Sequence, residues 1–311
     1  MNTGNKSSLC LRNLFRLFVC FLMGVLWAWN SQAEISIYGK VTNTNGVPLA
    51  QATVSYSLYT ESLLPTLFFP LSTDQQGDFA VRLTTAGDYT FCARKEGFVQ
   101  QSTNLTATSG MVASNLVIAL PEEAIISGKV SNLSGDPVTN FEIRVEGISS
   151  GATGYGYSGT DAEGVYRCGA LASGEYRVRT YANGSQNYID HWHDGSVVFT
   201  DCEKPESGYV VRAGDVISNV NFVVTPGSIL SGSVVDESLA PVGGVQLSVK
   251  NVNCTEYCYG NTDSNGLYEI MGLPSGTYDI EYWTSRYEMS HRLFNVEQNE
   301  HQEAGYIILE A

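Results

Sequence analysis

Apolar and polar residues alternate in short runs along most of the chain, and clusters of Gly, Asn, Asp and Ser separate the runs. Clear examples lie at residues 79–81, 141–145 and 278–280. Alternation with a period of two predicts β-strands that bury one face. No long helical period follows the first thirty residues. The pattern therefore predicts an all-β chain of short strands joined by tight turns.

One longer pattern occurs three times along the chain. Each copy has an apolar-x-Gly-x-Val segment, centred on Gly39, Gly128 or Gly232, and a proline nine residues after that glycine. A Thr-Asp-x-x-Gly element follows, and a Gly-x-Tyr element comes ten residues after its glycine. Because the same spacings recur in each copy, the sequence predicts three tandem β-sandwich domains.

The start of the chain has the order of a secretory signal peptide. Three basic residues precede an apolar run over residues 17–29, and small residues follow up to Ala33. This order predicts a signal peptide over residues 1–33. The run is shorter than the about 20 residues of a membrane helix, although an uncleaved N-terminal anchor remains the alternative. No membrane span is predicted after cleavage.

Short segments that contain proline separate the three copies, at residues 120–123 and 225–227. These segments are typical of hinges between domains. The predicted organisation is a signal peptide followed by three sandwich domains, over residues 1–33, 34–121, 122–226 and 227–311.

The charge balance excludes one class of partner. The chain has 32 acidic and 17 basic residues, a formal net charge of −15. Nucleic acid binding needs clustered Lys and Arg, so no nucleic acid partner is predicted. Aromatic residues make up 11% of the chain and charged residues only 16%, which argues against a disordered acidic chain.

The repeated pattern resembles the carboxypeptidase regulatory-like domain. The third copy carries it most fully, with Thr262-Asp263 and Gly266, then Gly276 and Tyr278. This resemblance implies Greek-key, transthyretin- or prealbumin-like β-sandwiches. The segment 188–195 of the second copy is similar to exported bacterial proteins with several such repeats, which implies export and a bacterial source.

The resemblance also implies a function class. The zinc-binding catalytic domain of true carboxypeptidases has no room in this chain, so no enzyme and no cofactor are predicted. The leading hypothesis is an exported structural or adhesive protein, secreted or in the cell envelope, whose partner is an unknown protein or glycan surface. Carbohydrate binding is the alternative, because the same fold serves several functions.

Aromatic residues are the candidates for carbohydrate binding, since flat rings can pack on the apolar faces of sugars. The main candidates are Tyr188, Trp192, Tyr257, Tyr259 and Trp283. Tyr155 and Tyr157 belong to the same wider set of aromatic residues. Several tyrosines could instead be core positions of strands.

Two histidines form a weak candidate metal site. His191 and His193 alternate along the chain, so on a strand they would point the same way. Zinc needs three or four protein ligands. A structural aromatic corner is therefore the favoured interpretation, and no metal is predicted.

Five cysteines follow the predicted signal peptide, and export permits disulfides. We expect a local bond between Cys254 and Cys258. A second bond is expected between Cys168 and Cys202. Cys92 would then be left over.

Overall fold

The computed structural model describes residues 34–58, 66–67, 70–152, 154–182, 185–198, 204–284, 287–298 and 300–309. Within these ranges the chain forms β-strands and no α-helix, which confirms the predicted all-β fold. The predicted signal peptide over residues 1–33 lies outside the described residues. None of the described ranges contains a helix long and apolar enough to cross a membrane.

The chain divides into two compact units, one up to Leu120 and one from Pro121 onward. The first unit holds two sheets, which we call the first sheet pair. One sheet has the order β5-β1-β8, and the other has the order β3-β2-β6-β7 with β4 also paired to β2. The strands are β1 (Ile35–Asn43), β2 (Thr53–Leu58), β3 (Thr66–Leu67), β4 (Leu71–Ser72), β5 (Asp78–Leu83), β6 (Gly87–Arg94), β7 (Gln101–Ala107) and β8 (Val112–Leu120).

The second unit begins with the second sheet pair. One of its sheets has the order β11-β10-β13-β14, and the other has the order β12-β9-β15 with β16 also paired to β9. The strands are β9 (Ala124–Asn132), β10 (Glu142–Gly147), β11 (Tyr155–Gly159), β12 (Val165–Leu171), β13 (Gly174–Tyr181), β14 (Tyr209–Val211), β15 (Val216–Ile217) and β16 (Phe222–Val224).

The third sheet pair completes the second unit. Its sheets have the orders β20-β17-β23 and β19-β18-β21-β22. The strands are β17 (Ser228–Asp236), β18 (Gln246–Asn251), β19 (Tyr257–Asn261), β20 (Leu267–Leu273), β21 (Gly276–Thr284), β22 (Tyr287–Val296) and β23 (His301–Leu309).

Buried apolar side chains form three core clusters that follow the three sheet pairs. The first cluster includes Ile37 and Phe91, the second Ile143, and the third Leu230 and Val249. These side chains alternate with less buried residues along their strands, as the sequence pattern predicts. The compact units divide the chain only at Leu120–Pro121, so the further boundary at residue 226 stays a prediction.

The threonine of each Thr-Asp-x-x-Gly element is a buried hydrogen-bonding residue. In the second copy Thr160 Oγ1 donates to Val138 O at 2.6 Å and accepts from Phe141 N at 3.0 Å. Thr73 and Thr262 make the same pair of bonds in their own copies. The threonine at the start of each element therefore bonds to the segment that follows the proline of the same copy.

Replacement of Thr160 by valine keeps the shape of the side chain and removes both bonds. The buried carbonyl and amide are then left without this partner, which costs about 1–3 kcal/mol of stability. Urea unfolding of the full chain measures the loss. Thr277→Val is the matched control, because Thr277 makes an exposed hydrogen bond to Asn295, and it should change stability by no more than about 0.5 kcal/mol.

The Gly-x-Tyr elements form buried tyrosine corners. Tyr176 OH donates to Ala172 O at 2.8 Å, four residues earlier in the chain. Tyr89 and Tyr278 make the equivalent bonds to Thr85 O and Pro274 O. Burial of a tyrosine ring requires a partner for its hydroxyl, and the turn before each strand supplies that partner. The repeated spacing thus has a structural cause.

Candidate functional site

One exposed sheet face brings together three of the five predicted aromatic residues. On β19, Tyr257 and Tyr259 alternate with buried Cys258, and on β21 Trp283 follows buried Tyr282. Strand alternation therefore places all three rings on the outer face of the β19-β18-β21-β22 sheet. Tyr259 is 55% exposed and Trp283 is 54% exposed. We call this surface the third aromatic face.

Polar side chains lie between Tyr259 and Trp283 because of the strand register. Gln246 on β18 pairs with both Asn261 on β19 and Trp283 on β21. Two residues further along β18, on the same face, Ser248 pairs with Tyr259 and Glu281. These six side chains line a groove of about 360 Å³. The groove therefore offers two rings, two amides, a hydroxyl and a carboxylate.

Charged residues also lie on this face, beside Tyr257 and along β21. Lys250 Nζ lies 3.3 Å from the Tyr257 hydroxyl and 3.7 Å from a Glu281 carboxylate oxygen. The hydrogen bond that Lys250 donates to the Tyr257 hydroxyl is the main cause that raises the pKa of Lys250. Asp279 is 3.3 Å from His291 Nδ1. Lys250 is thus held towards Tyr257 and Glu281 by neighbours on the same face.

The second sheet pair repeats this arrangement at the same register positions. Tyr155 and Tyr157 lie on β11 and pair with Glu146 and Arg144 of β10. In the same way Tyr257 and Tyr259 of β19 pair with Lys250 and Ser248 of β18. Tyr181 on β13 takes the position of Trp283. The sequence signal for this match is the repeated Tyr-x-Tyr of residues 155–157 and 257–259. We call this surface the second aromatic face.

The two faces differ at one position of the central strand. The Arg144 guanidinium carbon lies 3.1 Å from the centre of the Tyr181 ring and covers it. Ser248 occupies the equivalent position in the third sheet pair, where its short side chain leaves the groove beside Trp283 open. Arg144 also donates to Glu142 at 2.7 Å.

The other two predicted aromatic residues are not on these faces. Trp192 is only 2% exposed and belongs to the core cluster of the third sheet pair, so its prediction as an exposed sugar-binding residue is wrong. Tyr188 is half-buried against the second core and meets Phe141 edge-on, with 5.7 Å between the ring centroids. Both residues serve packing, because their segment lies between two sheet pairs.

His191 and His193 lie on either side of Trp192 and have separate partners. His191 Nε2 is 3.4 Å from Thr225 Oγ1. His193 Nδ1 is 2.8 Å from the Tyr209 hydroxyl, and burial lowers the pKa of His193. In the part of the chain that the structure describes, no three His, Cys, Asp or Glu side chains are placed to hold a metal ion.

A group of charges with buried Glu146 and Arg179 at its centre connects the second and third sheet pairs. Glu146 is within 3.5 Å of nitrogens of Arg177, Arg179 and Lys204. Glu256, just before β19, is 3.5 Å from Arg179 and 3.2 Å from Lys204. Arg179 Nε lies at ion-pair distance from Glu146 without forming a hydrogen bond. The group fixes two sheet pairs through one shared set of charges.

Asp190 is a buried carboxylate beside this group of charges. Its Oδ1 accepts a hydrogen bond from Ala182 N at 2.7 Å. Burial raises the pKa of Asp190 to about 7, although the charge of Arg179 opposes the shift. The folded chain therefore holds this proton to higher pH than the unfolded chain, in which an aspartate titrates near ~3.9.

This raised pKa predicts a pH dependence of stability. The contribution of Asp190 is fully present below about pH 4 and is lost as the pH rises through about 7, because the unfolded chain releases the proton first. In Asp190→Asn the amide stays neutral, so this variant should gain stability relative to the parent between about pH 5 and pH 8. Urea titrations at several pH values measure the difference. Parallel pH profiles for the two proteins would contradict the assignment.

The predicted disulfide pairs are wrong. Cys168 and Cys258 are buried free thiols, and burial raises the pKa of each to about 12. Cys258 points into the core because it alternates with the outward-facing tyrosines of β19. Cys254 is disulfide-bonded, and Cys202 lies outside the described residues. Cys92 is also free, as expected for the left-over thiol.

The family model of the carboxypeptidase regulatory-like domain matches residues 36–121 and 229–306, which together make more than half of the chain. The chain belongs to this family. The two matched segments correspond to the first and third sheet pairs, and the resemblance seen in the repeated motifs is confirmed. The carboxypeptidase regulatory-like segments thus include the strands that carry the third aromatic face.

Several solved structures are similar to this chain at low identity. The Bacillus anthracis TIE protein is 14% identical with a TM-score of 0.27, and the match covers 89% of this chain. This chain spans about half, 51%, of the TIE protein. The Bacillus cereus major pilin subunit BcpA is 13% identical (TM-score 0.24), and the match covers 89% of this chain and 99% of BcpA.

The Streptococcal ancillary pilin is 12% identical with a TM-score of 0.29, and the match covers 89% of this chain and 98% of the pilin. Values this low transfer no residue role or partner. No curated protein gives a significant match to this chain.

Proposed function

We propose that this chain is an exported, non-enzymatic protein that acts by making contacts, with a structural or adhesive role in the cell envelope or outside the cell. The observation that supports it is the repeated display of aromatic residues. Two sheet pairs of one compact unit carry three rings each, at matching register positions. Tyr155 and Tyr157 are 68% and 78% exposed, so two neighbouring aromatic rings face the solvent, and grouped exposed apolar side chains are typical of interaction sites.

The link between these sheet pairs supports the same role. Trp192 extends from the second sheet pair into the third core, and the charged group around Glu146 and Glu256 joins both. A contact protein gains from a fixed arrangement of its binding faces, because less conformational freedom is lost on binding.

Export is tested by expression of the full chain in a bacterial host with an envelope. We expect a product that begins at Glu34 and is found in the envelope or the medium. Recovery of the product only in the cytoplasm, with residues 1–33 still attached, contradicts export.

The contact role is tested with beads coated with the purified protein and incubated with bacterial cells, host cells and extracellular matrix. We expect retention on at least one of these surfaces and its loss when Tyr157, Tyr259 and Trp283 are all replaced by alanine. Beads with Tyr38→Ala and Tyr306→Ala control for lost exposed aromatic area, since both tyrosines are exposed outside these faces. Equal retention of all beads contradicts a role for the aromatic faces.

Carbohydrate binding is the second candidate function, and the groove between Tyr259 and Trp283 favours it. The groove combines exposed rings with amide, hydroxyl and carboxylate groups. Concave sites with a few placed polar groups are typical of small-ligand binding.

A further inference from the structure

We propose that the third aromatic face binds an uncharged linear oligosaccharide, which crosses the strands from Tyr259 to Trp283. This inference rests on the contact function proposed above and names a ligand for it. It depends on three properties of the groove: the separation of its two rings, the polar groups between them and its charge.

The two rings are too far apart to contact a single sugar unit. Tyr259 is on β19 and Trp283 is on β21, with β18 between them. Two strand spacings amount to about 10 Å. The rings are also offset along the strands, because Tyr259 pairs with Ser248 and Trp283 lies opposite Gln246. A ligand that contacts both rings must therefore be extended, with at least one unit between the two that stack.

The groups between the rings match a row of sugar hydroxyls. A hydroxyl both donates and accepts hydrogen bonds, and so do the side-chain amides of Gln246 and Asn261. Ser248 adds a hydroxyl, and the Glu281 carboxylate accepts strong hydrogen bonds from neutral donors. Because all four side chains line the groove, a sugar chain can pack its apolar faces on the rings while its hydroxyls meet polar partners.

The charge of the groove selects against acidic glycans. Glu281 lines the groove. The described residues that line the groove include no Lys or Arg. Lys250, further along β18, contacts Tyr257 and Glu281. A uronate or sulfate placed here would lie beside a carboxylate in an already acidic chain, and such like-charge contacts reject a ligand.

The second aromatic face provides an internal comparison. There Arg144 lies over the Tyr181 ring, so the ring equivalent to Trp283 is covered. Ser248→Arg introduces the same residue at the equivalent position of the third face, and the new side chain should cover Trp283. The variant is expected to close the groove while it leaves the core unchanged, because Ser248 lies on the outer face of β18.

The experiment is a titration of the full chain with neutral hexasaccharides of glucose, xylose and N-acetylglucosamine, and with hexagalacturonate as the acidic probe. Tryptophan fluorescence of residues 34–311 is the readout, because this part of the chain has two tryptophans, of which Trp283 is exposed and Trp192 is buried. We expect at least one neutral hexasaccharide to bind, and the corresponding monosaccharide and hexagalacturonate to bind at least about tenfold more weakly. Calorimetry measures the variants that lack Trp283.

Trp283→Ala, Tyr259→Ala and Ser248→Arg should each lower the affinity by about tenfold or more. Tyr306→Ala is the matched control and should bind as the parent does, since Tyr306 is exposed on β23 of the other sheet. Circular dichroism verifies that each variant is folded.

The proposal is overturned if no neutral hexasaccharide binds, if hexagalacturonate binds more tightly, or if folded Trp283→Ala and Tyr259→Ala bind like the parent. Bead retention that persists in such a case shows that the contact function holds with a different ligand.

Discussion

Replacement of Trp192 by alanine is expected to lower the free energy of unfolding of the second compact unit by about 3–5 kcal/mol. Trp192 is almost fully buried in the third core cluster. The guanidinium carbons of Arg177 and Arg179 lie 5.2 and 5.4 Å from its ring centre. Alanine at this position leaves a large cavity and removes the apolar link between two sheet pairs.

Urea unfolding of the full chain, followed by circular dichroism, measures this effect. Hydrogen exchange locates it, and we expect faster exchange in both β13 and β18. Trp283→Ala is the matched control, because it removes the same ring from an exposed site and should change stability by no more than about 0.5 kcal/mol. Similar losses in the two tryptophan variants would contradict the structural role of Trp192.

The second large effect is expected at Glu146. Glu146→Ala removes the carboxylate that faces Arg177, Arg179 and Lys204. Arg179 is buried, and a buried charge that loses a partner costs about 3–5 kcal/mol. Glu256 remains 3.5 Å from Arg179, which places the expected loss near the lower end of that range.

A double variant separates the charge effect from a loss of packing. Glu146→Leu combined with Arg179→Met removes both buried charges and keeps apolar volume, so it should be more stable than Glu146→Ala. Glu142→Ala is the control, since Glu142 pairs with Arg144 near the surface, and it should cost less than about 1 kcal/mol. The stability losses of Glu146→Leu and Arg179→Met are also measured singly. If the double variant loses as much stability as these two losses added together, the two charges are not coupled.

The features that could be predicted from the sequence depend on short separations along the chain. Thr160 forms hydrogen bonds with Val138 and Phe141, about twenty residues away, and Tyr176 forms one with Ala172. Each copy of the repeat contains both partners of these bonds. Local spacing therefore carries the information, and recurrence in three copies makes it visible.

The features that could not be predicted depend on contacts between copies. The segment around Trp192 has the composition of an exposed aromatic segment. Only the contacts of Trp192 in the third core cluster show that it is buried. Cys254 and Cys258 are close in sequence, but strand alternation turns Cys258 into the core. The third aromatic face combines residues from β18, β19 and β21, so its polar groove required the register.

The parallel pairing inside the sheets has a mechanical consequence. In the first sheet pair β1 lies parallel to β8, the first strand beside the last, over residues 36–43 and 112–120. In the third, β17 lies parallel to β23 in the same way. A pull on the two ends of such a segment acts along both strands in opposite directions. The hydrogen bonds of the ladder then share the load and must break together, so tension is resisted by shear instead of being released one bond at a time.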